Sequence, residues 1–436
     1  MDYHSAHLTG PGHEGGSDGV ACRVGLAEDG LFALPEGCPE MYLSYSDIDQ
    51  LVDEGTRLSI KTWDGRGYFL SHMGRQYGPF TYDLRERRQR QLVRNLLMLD
   101  VDYQKEFTCA YEFASAAGGV RKDAAAKLVL YRNSMVFFPS LDDPLNVWYC
   151  DLETVRFDSG AYALVLEFDL EERLVLTKLG TRFSELELDL RRLVDEMYKR
   201  TAELLKRSFP PETPEEVLLL LSRALRQGKA TSRARIDAVK PGMWERLQDV
   251  VFVDENGEAS LLRRKAFAYL AERTTPDLTF LGIRETFTSG AEDPRPIYWF
   301  MVALPQANAI ASEVTNESGY ATYFFRITAG SSPTPTQTLR RVAQLNRALQ
   351  ALNFRREVIS AREELLATDR FARYRVALRK LPYLREARQS FLGRAVHASE
   401  AAWERRVETI LAGAGRGEVV LDDPDDDPGP GAGPQA

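Results

Sequence analysis

The sequence predicts an α+β protein. It reads as two tandem copies of a small antiparallel sheet, each closed by its own C-terminal helix, followed by a mixed sheet-and-helix unit. Two observations carry this: an internal repeat, and a shared order within each copy of short alternating strands and then one amphipathic helical segment. In the repeat, Tyr45-Ser46-Asp47-Ile48-Asp49 matches Tyr149-Cys150-Asp151-Leu152-Glu153. Gly55 then meets Gly160, Ile60 meets Val165, Phe69-Leu70 meets Leu174-Val175, and Met73-Gly74 meets Leu179-Gly180. A period of about 105 residues is too long for a solenoid unit and is the size of a whole small domain.

Taken in order, residues 1–18 are polar and Gly-containing and read as a flexible leader. The first copy, 19–103, predicts strands over 30–35, 41–48, 56–63 and 68–72. A helix follows, with Leu92, Leu96 and Leu99 at i, i+4, i+7. The second copy, 104–207, predicts strands over 107–113, 127–131, 135–138, 147–155, 162–168 and 173–178. Its helix carries Leu190, Leu193 and Met197. Asp64-Gly65, Gly118-Gly119 and Asp158-Ser159-Gly160 supply turns. Lys206 to Pro214, with three prolines, reads as a linker. In the C-terminal unit, 213–412, Thr213-Pro214-Glu215-Glu216 predicts a capping box with proline at the first helical position. A helix over 261–273 and strands over 279–287, 297–304, 309–314 and 321–327 follow. From Thr336 to about Leu411 the pattern is helical, kinked at Pro382 and interrupted near Gly393. Residues 413–436 read as a disordered tail, with six acids, four prolines and no Lys or Arg from Gly417 onward.

Meandering strands capped by a single helix resemble the pleckstrin-homology-like (PH-like) superfold, and the repeat resembles tandem PH-like proteins. The likeness covers about residues 19–207. It implies two antiparallel β-barrels, each capped by a C-terminal helix. Sheet followed by helix recurs in the C-terminal unit, which would make that unit a diverged third PH-like copy. The superfold serves lipid-headgroup, peptide and histone-chaperone binders alike, so it implies binding without naming the ligand.

Composition narrows the class. Of 436 residues, 44% are apolar and 28% charged, and the net charge is −8, which excludes a disordered chain and a polycation. No basic segment followed by an apolar run opens the chain, and no stretch has the length of a membrane span. Four cysteines without a CxxC pair fit reduced, buried thiols and a cytoplasmic setting. No G-x-S-x-G, H-E-x-x-H or Walker pattern occurs, so no catalytic residue, metal or cofactor is expected. His4, His7 and His13 in the leader read as incidental.

Two basic regions remain. PH-like domains that grip phosphoinositides carry cations in an early hairpin, and the resemblance places Arg121, Lys122 and Lys127 there, with Arg132 nearby. Between Arg340 and Arg394 fourteen Lys or Arg face five acids; Arg370, Arg373, Arg379, Lys380 and Arg388 are the anion-binding candidates, with Phe371, Tyr374, Tyr383 and Phe391 interleaved. The competing reading is a solvated or internally paired face. The expected function is a non-enzymatic scaffold that binds another protein. Anionic lipid or nucleic acid is the alternative, and an enzyme built on the 308–323 region, with Asn308, Glu313, Asn316 and Glu317, is a distant one.

Overall fold

Alternation and tight turns dictate the first two sheets. The computed structural model describes residues 3–12, 19–96, 103–115, 119–139, 143–168, 171–253, 260–285, 296–315, 321–330, 332–366 and 368–416. Seven strands form the first sheet: β1 (Tyr3–Thr9), β2 (Val20–Leu26), β3 (Gly30–Pro35), β4 (Met41–Ser44), β5 (Ile48–Asp53), β6 (Leu58–Thr62) and β7 (Gly67–Ser71). Helix α1 (Tyr77–Asn95) follows. The second sheet repeats this with β8 (Tyr103–Ala114), β9 (Val120–Tyr131), β10 (Ser134–Phe138), β11 (Leu145–Trp148), β12 (Leu152–Asp158), β13 (Ala163–Phe168) and β14 (Arg173–Thr177), then α2 (Phe183–Ser208). Strand orders are β4-β3-β2-β1-β7-β6-β5 and β11-β10-β9-β8-β14-β13-β12. All pairs are antiparallel and both sheets are open, because β4 does not pair with β5 nor β11 with β12.

The two copies agree in detail. Tyr45 and Tyr149 are buried, and their hydroxyls donate to the carbonyls of Ala27 at 2.9 Å and Tyr131 at 3.1 Å. Both fifth strands start with a register shift, at 48/50 and 152/154. Both helices are entered through left-handed residues, His72 and Gly74 in one copy, Lys178 and Gly180 in the other. Tyr77, Phe80 and Leu84 of α1 pack on the first sheet, and Leu186, Leu190, Leu193 and Met197 of α2 on the second.

Three expectations are corrected here. The leader is structural from its third residue: Tyr3–Thr9 is the central strand β1, paired to β2 and β7, with Ala6 and Leu8 in the core. Residues 13–18 lie outside the described residues. Second, Leu92 and Leu96 do not cover their own sheet. They pack with Val93 against Val136 of β10 and Val376 of the C-terminal unit, so α1 leaves its own sheet, which is open and not the expected barrel, halfway along; Leu99 lies outside the described residues. Third, Lys206–Pro214 is no slack linker. Helix α2 runs to Ser208, and its Leu204 and Leu205, with Phe209, enter the core of the next unit.

The third unit holds α3 (Glu215–Leu225), β15 (Thr231–Ser232), α4 (Arg233–Asp237), α5 (Met243–Val251) and α6 (Leu261–Ala271). It continues through β16 (Thr279–Glu285), β17 (Pro296–Leu304), β18 (Ala309–Val314), β19 (Ala321–Arg326) and α7 (Pro335–Ala351). It ends with α8 (Glu357–Ser360), α9 (Glu363–Leu366), α10 (Ala372–Lys380), α11 (Pro382–Ser390), β20 (Phe391–Val396) and α12 (Glu400–Arg416). Its sheet is an antiparallel meander, β15 through β20 in sequence order. Strand β17 is apolar throughout because helices cover both faces. Tyr298, Phe300 and Val302 meet α3, α5, α6 and α12, while Trp299, Met301 and Ala303 meet α7, α8, α10 and α11. A meander sandwiched between helices does not have the strand order of the first two sheets, so this unit is not a third copy. The long helical stretch is broken too. Asn353 and Phe354 take positive φ after α7, Pro382 starts α11, and Gly393, at φ +149°, lies within strand β20, which joins the sheet edge.

Capping also differs from the expectation. Pro214 itself is the N-cap of α3, without a side-chain hydrogen bond, whereas Thr334 and Gln337 form a reciprocal capping box at α7 with Pro335 at its first position. The tail starts later than predicted, since α12 continues to Arg416; residues 417–436 lie outside the described residues. Among the described residues no helix is long and apolar enough to cross a membrane.

Candidate protein-binding site

The acids that recur in the repeat receive cations from the third unit. In the first copy Lys380 of α10 bonds the Asp49 carbonyl at 3.2 Å, lies over the Trp63 ring at 4.9 Å and pairs with Asp143. Asp143, in the β10–β11 connection of the second unit, also takes Arg88 of α1 at 3.1 Å, and Arg121 donates to its carbonyl at 2.5 Å. One carboxylate therefore joins all three units. In the second copy Asp151 and Glu172 hold Arg347 of α7 at 2.9 and 2.8 Å. Glu153 takes Arg226 at 2.9 Å, Arg235 at 3.2 Å, and Lys229. Burial lowers the pKa of Arg88 and Lys380, and Asp143 offsets this only in part. Burial also opposes the charge of Arg347, but its two carboxylates outweigh that and hold its pKa above the ordinary value.

Of the predicted anion ligands, the clamp takes Lys380 and Arg121. Lys127 pairs with Glu106 at 3.4 Å, and Lys122 is exposed on β9 opposite Glu112. Arg388 donates to the carbonyls of Val358 and Ile359 and to Glu363 at 2.8 Å. Arg379 is exposed and lies 5.8 Å from the Trp63 ring, Arg370 is exposed over Phe371, and Arg373 lies on α10. Phe371 and Tyr374 are buried in the core, so these two rings are no stacking platform for bases. Arg121, Lys380 and Arg379 meet around Asp143 and Trp63, whereas Lys127 and Arg388 pair with acids of their own.

The clamp is tight where the second and third units meet. Gly228 has φ +103°, and a Cβ there would lie 2.7 Å from Oε1 of the buried Gln350. Gly228→Ala is expected to cost about 1–3 kcal/mol in denaturant unfolding, from left-handed strain plus the clash.

The open surface lies on the other side of β12. Among the described residues this strand ends its sheet, pairs with β13 alone, and has its Leu152 carbonyl taken by Arg226 at 2.6 Å. Val155 and Phe157 are half-buried beside α2, Arg191 lies 4.9 Å from the Phe157 ring, and Phe157 and Tyr162 both meet Phe183 edge-on. Tyr162 is 61% exposed and Leu188 of α2 is 69% exposed. A terminal strand beside an apolar floor, here the 154–158 part of β12, is a surface on which an extended chain can add a strand. The first copy closes the same place. The repeat register puts Asp53 where the second copy has Phe157, and Asp53 accepts from Tyr77 at 2.5 Å and Arg85 at 2.7 Å. Burial pushes the Asp53 carboxyl up, but these hydrogen bonds, with one from the Gly55 amide, outweigh it and hold the group below the ordinary Asp value. Arg88 occupies the Ile48 and Asp49 carbonyls, and Arg226 occupies the equivalent Leu152 carbonyl of the second copy at 2.6 Å, so the copies differ in the groove beside the helix and not at the start of the edge. Local repeat matching aligned the starts of these two strands without marking either as an edge, and the difference between their grooves rests on long-range contacts.

In the 308–323 region Asn308 is a turn residue at φ +52°, donating to Thr328 and Gly330, and Glu313 is buried; Asn316 and Glu317 lie outside the described residues. A cleft of about 450 Å³ between α5 and α6 is lined by Arg233, Trp244, Gln248, Arg264, Phe267 and Glu272. Its two arginines are taken by Asp237, Glu245 and Asp249. Among the described residues no group of three or more His, Cys, Asp or Glu is arranged to hold a metal ion.

No family model matches the chain. No curated protein matches it either. Among solved structures, the C-terminal domain of an unknown protein from Leishmania infantum is similar over 24% of this chain and 94% of its own length, at 12% identity and a TM-score of 0.19, a likeness too slight to carry an argument.

Proposed function

We propose that this chain is a non-enzymatic scaffold of two PH-like units and a clamped α+β unit, which binds an extended segment of another protein along the β12 edge. The observation that carries this reading is the asymmetry of the two copies. Both edges receive an arginine at their start, but Asp53, Tyr77 and Arg85 fill the first groove with polar groups, whereas Val155, Phe157, Tyr162 and Leu188 leave the second one apolar and accessible. Anionic lipid and nucleic acid are the weaker alternatives, because Lys380 and Arg388 already hold carboxylates or carbonyls of the chain itself.

The test is affinity capture from native extract with the full chain and with Val155→Asp/Phe157→Asp. A stoichiometric partner should be retained by the wild type and weakened about 30-fold or more by the double variant, as for loss of an interface hot spot of ~2 kcal/mol. Val52→Asp, on the exposed face of the first copy's β5, should leave capture unchanged. Equal capture by the double variant, with unchanged circular dichroism, would remove the β12 edge from the account. Salt-sensitive flotation with anionic liposomes, without a protein partner, would favour the lipid reading instead.

A further inference from the structure

A second cluster of charge lies outside the clamp, within the helical layer on one face of the third sheet. Glu313 of β18 is fully buried. Its Oε2 accepts from Thr322 of β19 at 2.6 Å and from His397, in the β20–α12 connection, at 2.8 Å; Arg263 of α6 lies 3.5 Å from Oε1. Thr322 has one hydroxyl proton and gives it to Glu313, so its oxygen is left to accept the Trp403 indole N–H of α12 at 3.1 Å. The His397 ring stacks on Trp403 at 5.5 Å and 10°. Trp403 is thus tied to Glu313 twice, through the Thr322 hydroxyl and through the stacked imidazole. Val407 and Ile410 add apolar packing to the same helix.

We infer that ionised Glu313 is the latch that docks α12, so that acid releases this helix before the sheet beneath it opens. A neutral carboxyl loses acceptor strength toward His397, Thr322 and Arg263 together and brings a proton of its own that needs an acceptor. Facing Glu313, the described charged and titratable groups are Arg263 from α6 and His397 from the β20–α12 connection; β19 and α12 offer Thr322 and Trp403. Burial raises the Glu313 carboxyl, but the His397 and Thr322 hydrogen bonds and the Arg263 charge outweigh it and hold the group below its ordinary 4.5. A carboxyl lowered by folding stabilises the fold above its unfolded value, and that stabilisation is lost as pH falls from there through the folded value.

Hydrogen exchange of the full chain between pH 6 and pH 3.5, corrected for intrinsic rates and compared with β17, tests this. Protection of α12 should fall by about tenfold per pH unit below the ordinary Glu value, while β17 stays protected. Glu313→Gln should lower α12 protection at pH 6 and abolish its extra pH response. Trp403→Phe should lower α12 protection at every pH while keeping the slope, which separates the latch from simple loss of packing. Parallel loss in α12 and β17, or a wild-type slope in Glu313→Gln, would overturn the inference.

Discussion

Asp143→Ala should cost the folded chain about 3–5 kcal/mol, the range for removing one partner of a buried charge cluster. The side chains of Arg88 and Lys380 are 4% and 5% exposed, and both point at this one carboxylate from different units. Without it two cations face each other in a desolvated seam, with the Asp49 and Ile48 carbonyls and the Asp49 carboxylate, 3.8 Å from Lys380, as partial compensation. The midpoint in urea should fall sharply. A companion variant separates removal of charge from removal of packing. Arg88→Met/Asp143→Leu/Lys380→Met leaves only the part-exposed Asp49 carboxylate, 3.8 Å from Lys380, without its cation and should recover most of the loss, because apolar replacement of a buried cluster is often close to neutral. Equal instability of the single and triple variants would mean that shape, not charge, matters at this junction.

Arg347→Met is the second large effect, again about 3–5 kcal/mol. Here the orphaned groups are two acids, Asp151 and Glu172, whose side chains are 10% and 13% exposed. Because Arg347 comes from α7 and both acids from the second unit, the loss should weaken docking of the third unit more than either sheet. Limited proteolysis should show this as earlier cleavage between α2 and α3. Arg347→Lys should rescue little, since one ammonium cannot reproduce two separate guanidinium contacts.

What the sequence made legible was local. Tyr45 and Tyr149 could be matched because each hydroxyl reaches a carbonyl only 18 residues back, a distance that a repeat preserves. The later strands alternated cleanly, and the buried run of β17 was recognisable as a strand although helices cover both its faces. Strand β1 escaped notice because it offers just Ala6 and Leu8 to the core among His and Ser, and its neighbours β2 and β7 do the rest. Strand β20 was lost in a helical stretch because its short length and Gly393 look like a helix break. The recurring acids were visible as a feature of the repeat, but not their partners. Asp151 and Arg347 are 196 residues apart, and no local pattern encodes such pairing. The basic C-terminal region could be read as a surface for anions or as an internally paired face, and Arg347 and Lys380 are paired within the clamp. Of the candidate binding edge only part was readable: 147–155 reads as one strand, whereas β11 ends at Trp148, a turn takes 149–151 and β12 runs on to Asp158.

The measurement that bears most directly on the clamp is a double-mutant cycle between Asp151→Asn and Arg347→Met, read by equilibrium unfolding. A third unit held on the repeat's acids predicts a coupling of about 2 kcal/mol or more between these positions, at the upper end for contacting charged residues. Additive losses, with a coupling below about 0.5 kcal/mol, are what independent sites give, and would contradict the account.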